Sequence, residues 1–157
     1  MSYIIQKYIE RPMLIEGKKF DIRVWALLTH NLEVFVFEEA YLRFSSQLYS
    51  TKDNHQNPFI HLTNNSVQKY SDKFDKNSGN QESLSSIHGY LPPNKADHIY
   101  KSIISKIKEI VWLSMCAARR KININQRKEC FELFGYDFMI DYDYKVWLIE
   151  VNTNPAI

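Results

Sequence analysis

The sequence predicts an α+β domain: a largely antiparallel sheet with flanking helices. Three observations carry that prediction. Runs rich in β-branched and aromatic residues come in pairs with short links, as in "FDIRVWALLTHNLEVFVFEEA" and "YDFMIDYDYKVWLIEVN". One long segment, 94–120, repeats apolar residues every three or four positions. The composition, 45% hydrophobic and 24% charged over 157 residues, suits one globular core.

Residues 3–9, "YIIQKYI", read as a first strand, stopped by Glu10, Arg11 and Pro12. Residues 20–28 and 33–40 flank "THNL" and predict a hairpin. A polar, Asn- and Ser-rich stretch then runs from 41 to 86. Its length and its anchors, Phe44, Tyr49, Phe59, Ile60 and Leu62, predict an ordered functional loop. The helix over 94–120 follows Pro92 and Pro93, with Asn94 as its cap. Ile99, Ile103, Ile107, Ile110, Val111 and Ser114 make its inner stripe, while Lys101, Lys106 and Lys108 make a solvated face. The connector "RRKININQRKE" is either solvated or a surface for an acidic partner.

The totals exclude several classes. A formal charge of +2 does not point to nucleic acid. No apolar run approaches the roughly 20 residues of a membrane helix, and "MSYIIQKYIERP" lacks a signal-peptide layout. Cys116 and Cys130 match no zinc spacing and are expected as free thiols. These features lead to the expectation of a cytoplasmic protein with no membrane and no nucleic-acid partner.

The final pair of strands holds the chemistry. With a two-residue turn at Asp143 and Tyr144, Asp137 faces Glu150, Met139 faces Leu148, and Asp141 faces Val146. Paired residues share a face and side chains alternate along a strand, so Asn152 joins Asp137 and Glu150. The opposite face collects Tyr136, Phe138, Ile140, Trp147, Ile149 and Val151 and belongs against helices. Two facing carboxylates repel unless they lie in water, pair with Arg or Lys, or hold a cation. Oxygen donors alone would suit Mg²⁺ shared with a nucleotide phosphate. Lys19, Asp21 and Arg23 likewise share one strand face, with Phe20, Ile22 and Val24 on the other.

Four segments, "IIQKYIERPMLIEGKKFDIRVWALL", "YLRFSSQLYS", "HLTNNSVQKY" and "FELFGYDFMIDYDYKVWLIEVNTNP", occur in that order. Together they resemble the tubulin–tyrosine ligase and ligase-like family, a branch of the ATP-grasp enzymes. The resemblance implies an ATP-grasp-like fold lacking its N-terminal part, with 1–157 as a single partial domain cut at both ends. It implies an ATP-dependent ligase that adds glutamate, glycine or tyrosine to a tubulin carboxylate through an acyl phosphate. ATP and Mg²⁺ are the implied cofactors; tubulin or microtubules with acidic tails, and a free amino acid, are the implied partners. Microtubules, including those of the cilium and basal body, are the implied location. The alternatives are a non-catalytic nucleotide- or microtubule-binding remnant, and a ligase for a small acid.

By the same resemblance, Gln6, Lys7, Tyr8 and Ile9 form the strand behind the adenine. Lys19, Asp21, Thr63 and Asn64 lie at the nucleotide. Arg23 and Arg43 are catalytic, placed to hold anionic oxygens with planar guanidinium forks. Arg43, with Lys69, also contacts substrate, and His61 is either a proton carrier or structural. Asp137, Glu150 and Asn152 match the metal ligands. Gly17, Gly79, Gly89 and Gly135 are too few and scattered for a Gly-rich phosphate loop.

Overall fold

The computed structural model describes residues 4–52 and 56–155. A seven-stranded antiparallel sheet organises the chain: β1 Leu14–Ile15, β2 Lys18–Thr29, β3 Val34–Val36, β4 Tyr41–Leu48, β5 Gln81–Ser83, β6 Phe131–Ile140 and β7 Val146–Thr153. The order is β5-β4-β2-β6-β7, with β1 and β3 also paired to β2. Two short helices, α1 Pro58–His61 and α2 Asn65–Gln68, and a 3-10 turn at Leu84–Tyr90 fill the polar stretch, and α3 is Ala96–Ala118. The α+β, mostly antiparallel prediction holds.

One sheet face is the core. Phe20, Ile22, Val24 and Ala26 of β2 lie beside Leu42 of β4 and Tyr136, Phe138 and Ile140 of β6, all buried. Helix α3 covers them with Ile103, Ile107, Val111 and Met115. Ile110 packs half-buried against the same core, Met115 extends the stripe by one turn, and Ser114 hydrogen-bonds Tyr136 Oη at 2.7 Å. The helix cap is Lys95 instead of Asn94, because Lys95 N–H closes a turn onto Pro92 O at 2.9 Å and delays the first helical residue. Cys116 and Cys130 are free, and among the described residues no helix is long and apolar enough to cross a membrane.

Three expectations about the strands are corrected as well. Residues 4–9 form no strand, and Tyr3 lies outside the described residues. Ile4 and Ile5 are 94% and 100% exposed; an extended segment becomes a strand only by pairing, and none of the described strands pairs with it. Secondly, "YLRFSSQL" is strand β4, paired along β2, so Arg43 stands mid-strand. Leu42 and Phe44 alternate toward the apolar core, while Arg43 and Ser45 are buried on the opposite face, and this outweighs the polar composition of the segment. The predicted hairpin partner of β2 shrinks to Val34–Val36.

The third correction concerns the last hairpin. From Phe134↔Thr153 to Asp137↔Glu150 the pairing is as predicted, but a bulge after Asp137 shifts the rest to Phe138↔Leu148, Met139↔Trp147 and Ile140↔Val146. The link is a three-residue loop, Tyr142 to Tyr144, with Tyr144 left-handed at φ 62°. Asp141 Oδ1 pins it by accepting from Asp143 N–H and Lys145 N–H at 2.9 and 3.0 Å. The extra loop residue changes the register by one and the bulge absorbs it. Val146 and Leu148 thus join the core, while Trp147 turns out to 39% exposure and donates to Asp141 Oδ2 at 2.8 Å.

Candidate functional site

On the other sheet face β2 points Lys19, Asp21 and Arg23. All three are buried, together with Arg43 of β4 and Asp137 of β6. The register makes the pairs: Asp21 opposes Arg43, Arg23 opposes Asp137, and Asp137 opposes Glu150. Arg23 donates from Nε to Asp137 Oδ1 at 2.5 Å and from Nη2 to Oδ2 at 3.1 Å. Arg43 grips Asp21 the same way, at 2.7 and 2.5 Å, and its Nη2 also lies 2.9 Å from Asp137 Oδ2. A continuous chain Asp21–Arg43–Asp137–Arg23 results, spanning three strands.

Paired forks of this kind are what make buried charges tolerable. Burial alone would raise the Asp137 carboxyl, but its hydrogen bonds and charge contacts with Arg23 and Arg43 hold it below the usual carboxylate range. Burial would lower Arg43, and Asp21 and Asp137 instead hold it above its ordinary value. A guanidinium has five N–H donors. Two of Arg23's and three of Arg43's are committed to carboxylates, so each keeps donors for another anion.

Gly135 gives this network room, a role that sequence reading missed. A Cβ there would stand 2.7 Å from Pro155 Cβ and 3.2 Å from Arg23 Nη1. The signal was a glycine inside a strand two residues from Asp137, where another chain segment or side chain comes close.

At the solvent end, Asn152 Nδ2 donates to Glu150 Oε1 at 3.0 Å and stands 3.5 Å from Asp137 Oδ2. Its amide hydrogens occupy the space between two carboxylates. That is where a cation would be favoured, and rotating the amide turns its oxygen inward to complete an all-oxygen donor set. With the amide so turned, the three residues would offer the kind of oxygen donors that a hard divalent ion takes. Asp137 also satisfies the reading of a carboxylate paired with arginine; among the described residues no three His, Cys, Asp or Glu side chains cluster as ligands.

Lys19 heads a second group. Its Nζ donates to His61 O at 2.6 Å and stands 5.1 Å above the Tyr8 ring. Burial lowers its pKa. Tyr8 Oη lies 2.8 Å from His61 Nδ1, and burial raises the Tyr8 phenol. Tyr8 is thus beside Lys19 although its segment is not a strand, while Gln6 and Lys7 lie in solvent and Ile9 is half-buried.

Thr63 is buried and Asn64 half-buried at the start of α2. Two amides that sequence reading passed over hold this loop to β4. Asn80 Nδ2 donates to Phe44 O at 3.0 Å and Thr63 O at 2.9 Å. Gln68 accepts from Ser46 N–H at 2.8 Å and donates to Leu62 O. Lys69 is not brought to the cluster; it is exposed, its Nζ 5.1 Å over the Tyr70 ring. Helix α2 turns it outward while burying Gln68 beside it.

The family model described as "Tubulin-tyrosine ligase family" matches residues 1–157. A probable alpha-tubulin polyglutamylase of Tetrahymena thermophila, Ttll1, is 38% identical over 99% of this chain and 38% of its own length. Tubulin glycylase 3A of Drosophila melanogaster is 41% identical over 99% of this chain and 16% of its own. The probable tubulin polyglutamylase TTLL9 of Bos taurus is 34% identical over 99% of this chain and 34% of its own. The chain thus spans well under half the length of these curated relatives.

Proposed function

The chain belongs to the tubulin–tyrosine ligase family, and on that premise we propose that it carries one side of the active cleft of an ATP-dependent ligase joining an amino acid to a carboxylate of tubulin. The single observation that supports this most is the buried network of Arg23, Arg43, Asp21 and Asp137 ending at Glu150 and Asn152 on one sheet face. Stability alone does not account for burying Asp21, Arg23, Arg43 and Asp137 on one sheet face, since apolar residues in such places often stabilise as well or better. The names of relatives divide between polyglutamylases and glycylases; glutamate and glycine are therefore the leading candidates for the added residue.

In this reading a tubulin carboxylate attacks the γ-phosphorus of ATP, giving an acyl phosphate and ADP. The amine of the free amino acid then displaces phosphate, forming the amide and releasing a proton. Such chemistry rests on positioning and charge neutralisation. Arg23 and Arg43 serve by their uncommitted N–H groups, aimed by Asp137 and Asp21 so that no reorganisation is needed when anionic oxygens arrive. Lys19, tethered between His61 and Tyr8, offers a third cation. Asp137, Glu150 and Asn152 would hold Mg²⁺, which when bound offsets phosphate charge. Thr63 and Asn64 line the nucleotide side.

Isothermal titration with ATP tests the proposal. Binding that requires magnesium, and that Glu150→Gln abolishes, is the expected result. No heat with or without magnesium would point instead to a non-catalytic remnant of the fold.

A further inference from the structure

The positive charge of this protein is concentrated at one end of the sheet. Residues 119–132 contain five cations, Arg119, Arg120, Lys121, Arg127 and Lys128, against Glu129 and Glu132, whereas the whole chain is only +2. All five cations are exposed. Among the described residues the ion pairs involve none of them. The loop that carries them is wound tightly: Asn123, Gln126 and Glu129 have left-handed backbones, at φ 48°, 50° and 55°. Asn123 clamps it, donating from Nδ2 to Arg127 O at 2.9 Å and accepting Arg127 N–H at 2.8 Å. The cations are therefore displayed on a fixed turn.

The turn adjoins the far end of β2 and β6, where His30 N–H bonds Cys130 O at 2.9 Å and Thr29 pairs with Phe131. Six residues along β2, or about 20 Å, separate Thr29 from Arg23. Over that span the face bearing Arg23 and Asp137 is apolar. Trp25, Leu27, Phe35, Phe37 and Leu133 line an open hollow of about 590 Å³, and the Leu27↔Phe35 and Leu27↔Leu133 pairings put them on one face. Phe35 and Phe37 are 57% and 55% exposed. Glu38 and Glu39 border the hollow and disfavour acidic side chains there, so acidic residues of a bound chain belong at the turn.

We infer that the 119–128 turn docks the acidic stretch of an acceptor polypeptide, and that the chain continues across the apolar lane to present a carboxylate at Arg23 and Arg43. The identity of the docked chain as the acceptor rests on the ligase reading above; the docking itself does not. About six extended residues cover the lane, so the modified carboxylate lies about six residues from the docked acidic cluster. The attraction is electrostatic and steep in salt.

The test is fluorescence anisotropy with a labelled glutamate-rich peptide, its glutamine counterpart and a single-stranded DNA oligonucleotide, on the full chain without nucleotide. The glutamate peptide is expected to bind, more weakly as salt rises, and a charge-reversed variant (Arg119→Glu, Arg120→Glu, Arg127→Glu, Lys128→Glu) should lose at least about tenfold in affinity. If circular dichroism shows that variant unfolded, Arg127→Gln with Lys128→Gln replaces it, with the same direction expected. Unchanged affinity in a folded variant, no binding by the native protein, equal binding of the glutamine peptide, or tighter binding of DNA would each overturn the inference. Peptide binding without any magnesium-dependent ATP binding would sink the ligase reading and leave the docking surface standing.

Discussion

Replacing Asp137 by Asn probes the network at its centre. Asp137 is 2% exposed and accepts from both Arg23 and Arg43. Arg43 would keep its two bonds to Asp21; among the described residues Arg23 has no second carboxylate. The amide supplies one acceptor oxygen and turns an N–H₂ group toward a guanidinium. The variant thus leaves one buried cation uncompensated, a change that costs roughly 3–5 kcal/mol. Because Arg43 stays paired, the lower end, about 3 kcal/mol, is expected at pH 7. Urea unfolding followed by circular dichroism, with chelator present to remove divalent ions, reads the difference as a lower midpoint at constant slope. Replacing both partners, Arg23→Met with Asp137→Leu, removes the stranded charge and should recover most of the loss. The pH dependence has a fixed sign. The folded-state pKa of Asp137 is depressed, so its contribution is complete above the unfolded value, about 3.9, and fades as pH falls through the lower folded one. The gap between native protein and variant should close in that acidic window. A single variant within about 1 kcal/mol of native at pH 7, or a double variant as unstable as the single, would refute the reasoning.

Three further outcomes follow from the same geometry. Glu150→Gln, at an exposed position, should change stability by no more than about 0.5 kcal/mol while removing magnesium-dependent ATP binding; denaturation and titration on one sample separate the two effects. Gly135→Ala should destabilise by about 1–3 kcal/mol through the clash with Pro155 and crowd Arg23, read as a lower urea midpoint together with weaker nucleotide binding. Trp147→Ala should cost only about 1 kcal/mol, the lost bond to Asp141 and cation–π contact with Lys145, whereas Phe138→Ala, at 0% exposure, should cost about 3–5 kcal/mol; equal midpoints for these two would contradict the bulge.

Alternation along single strands was enough to find much of the site. It placed Lys19, Asp21 and Arg23 on one face of β2 and Asp137, Glu150 and Asn152 on one face of the last hairpin, because the two-residue period of a strand needs no tertiary knowledge. The helix stripe through Ile103, Ile107 and Val111 was legible for the corresponding reason at a period of 3.6. What sequence alone could not supply was which strands are neighbours. That β4 lies against β2, putting Arg43 on Asp21 and within reach of Asp137, depends on contacts between residues 22 to 114 positions apart. Asn80 and Gln68 look like any loop amides until folding buries them against main-chain carbonyls. The bulge after Asp137 arises from the fit between a three-residue turn and a core that needs Val146 and Leu148 inside, so Trp147 exchanged its expected place in the core for the surface. Local periodicity is written in the chain, but pairing between distant segments is decided by which arrangement buries the most apolar surface while leaving no buried charge alone.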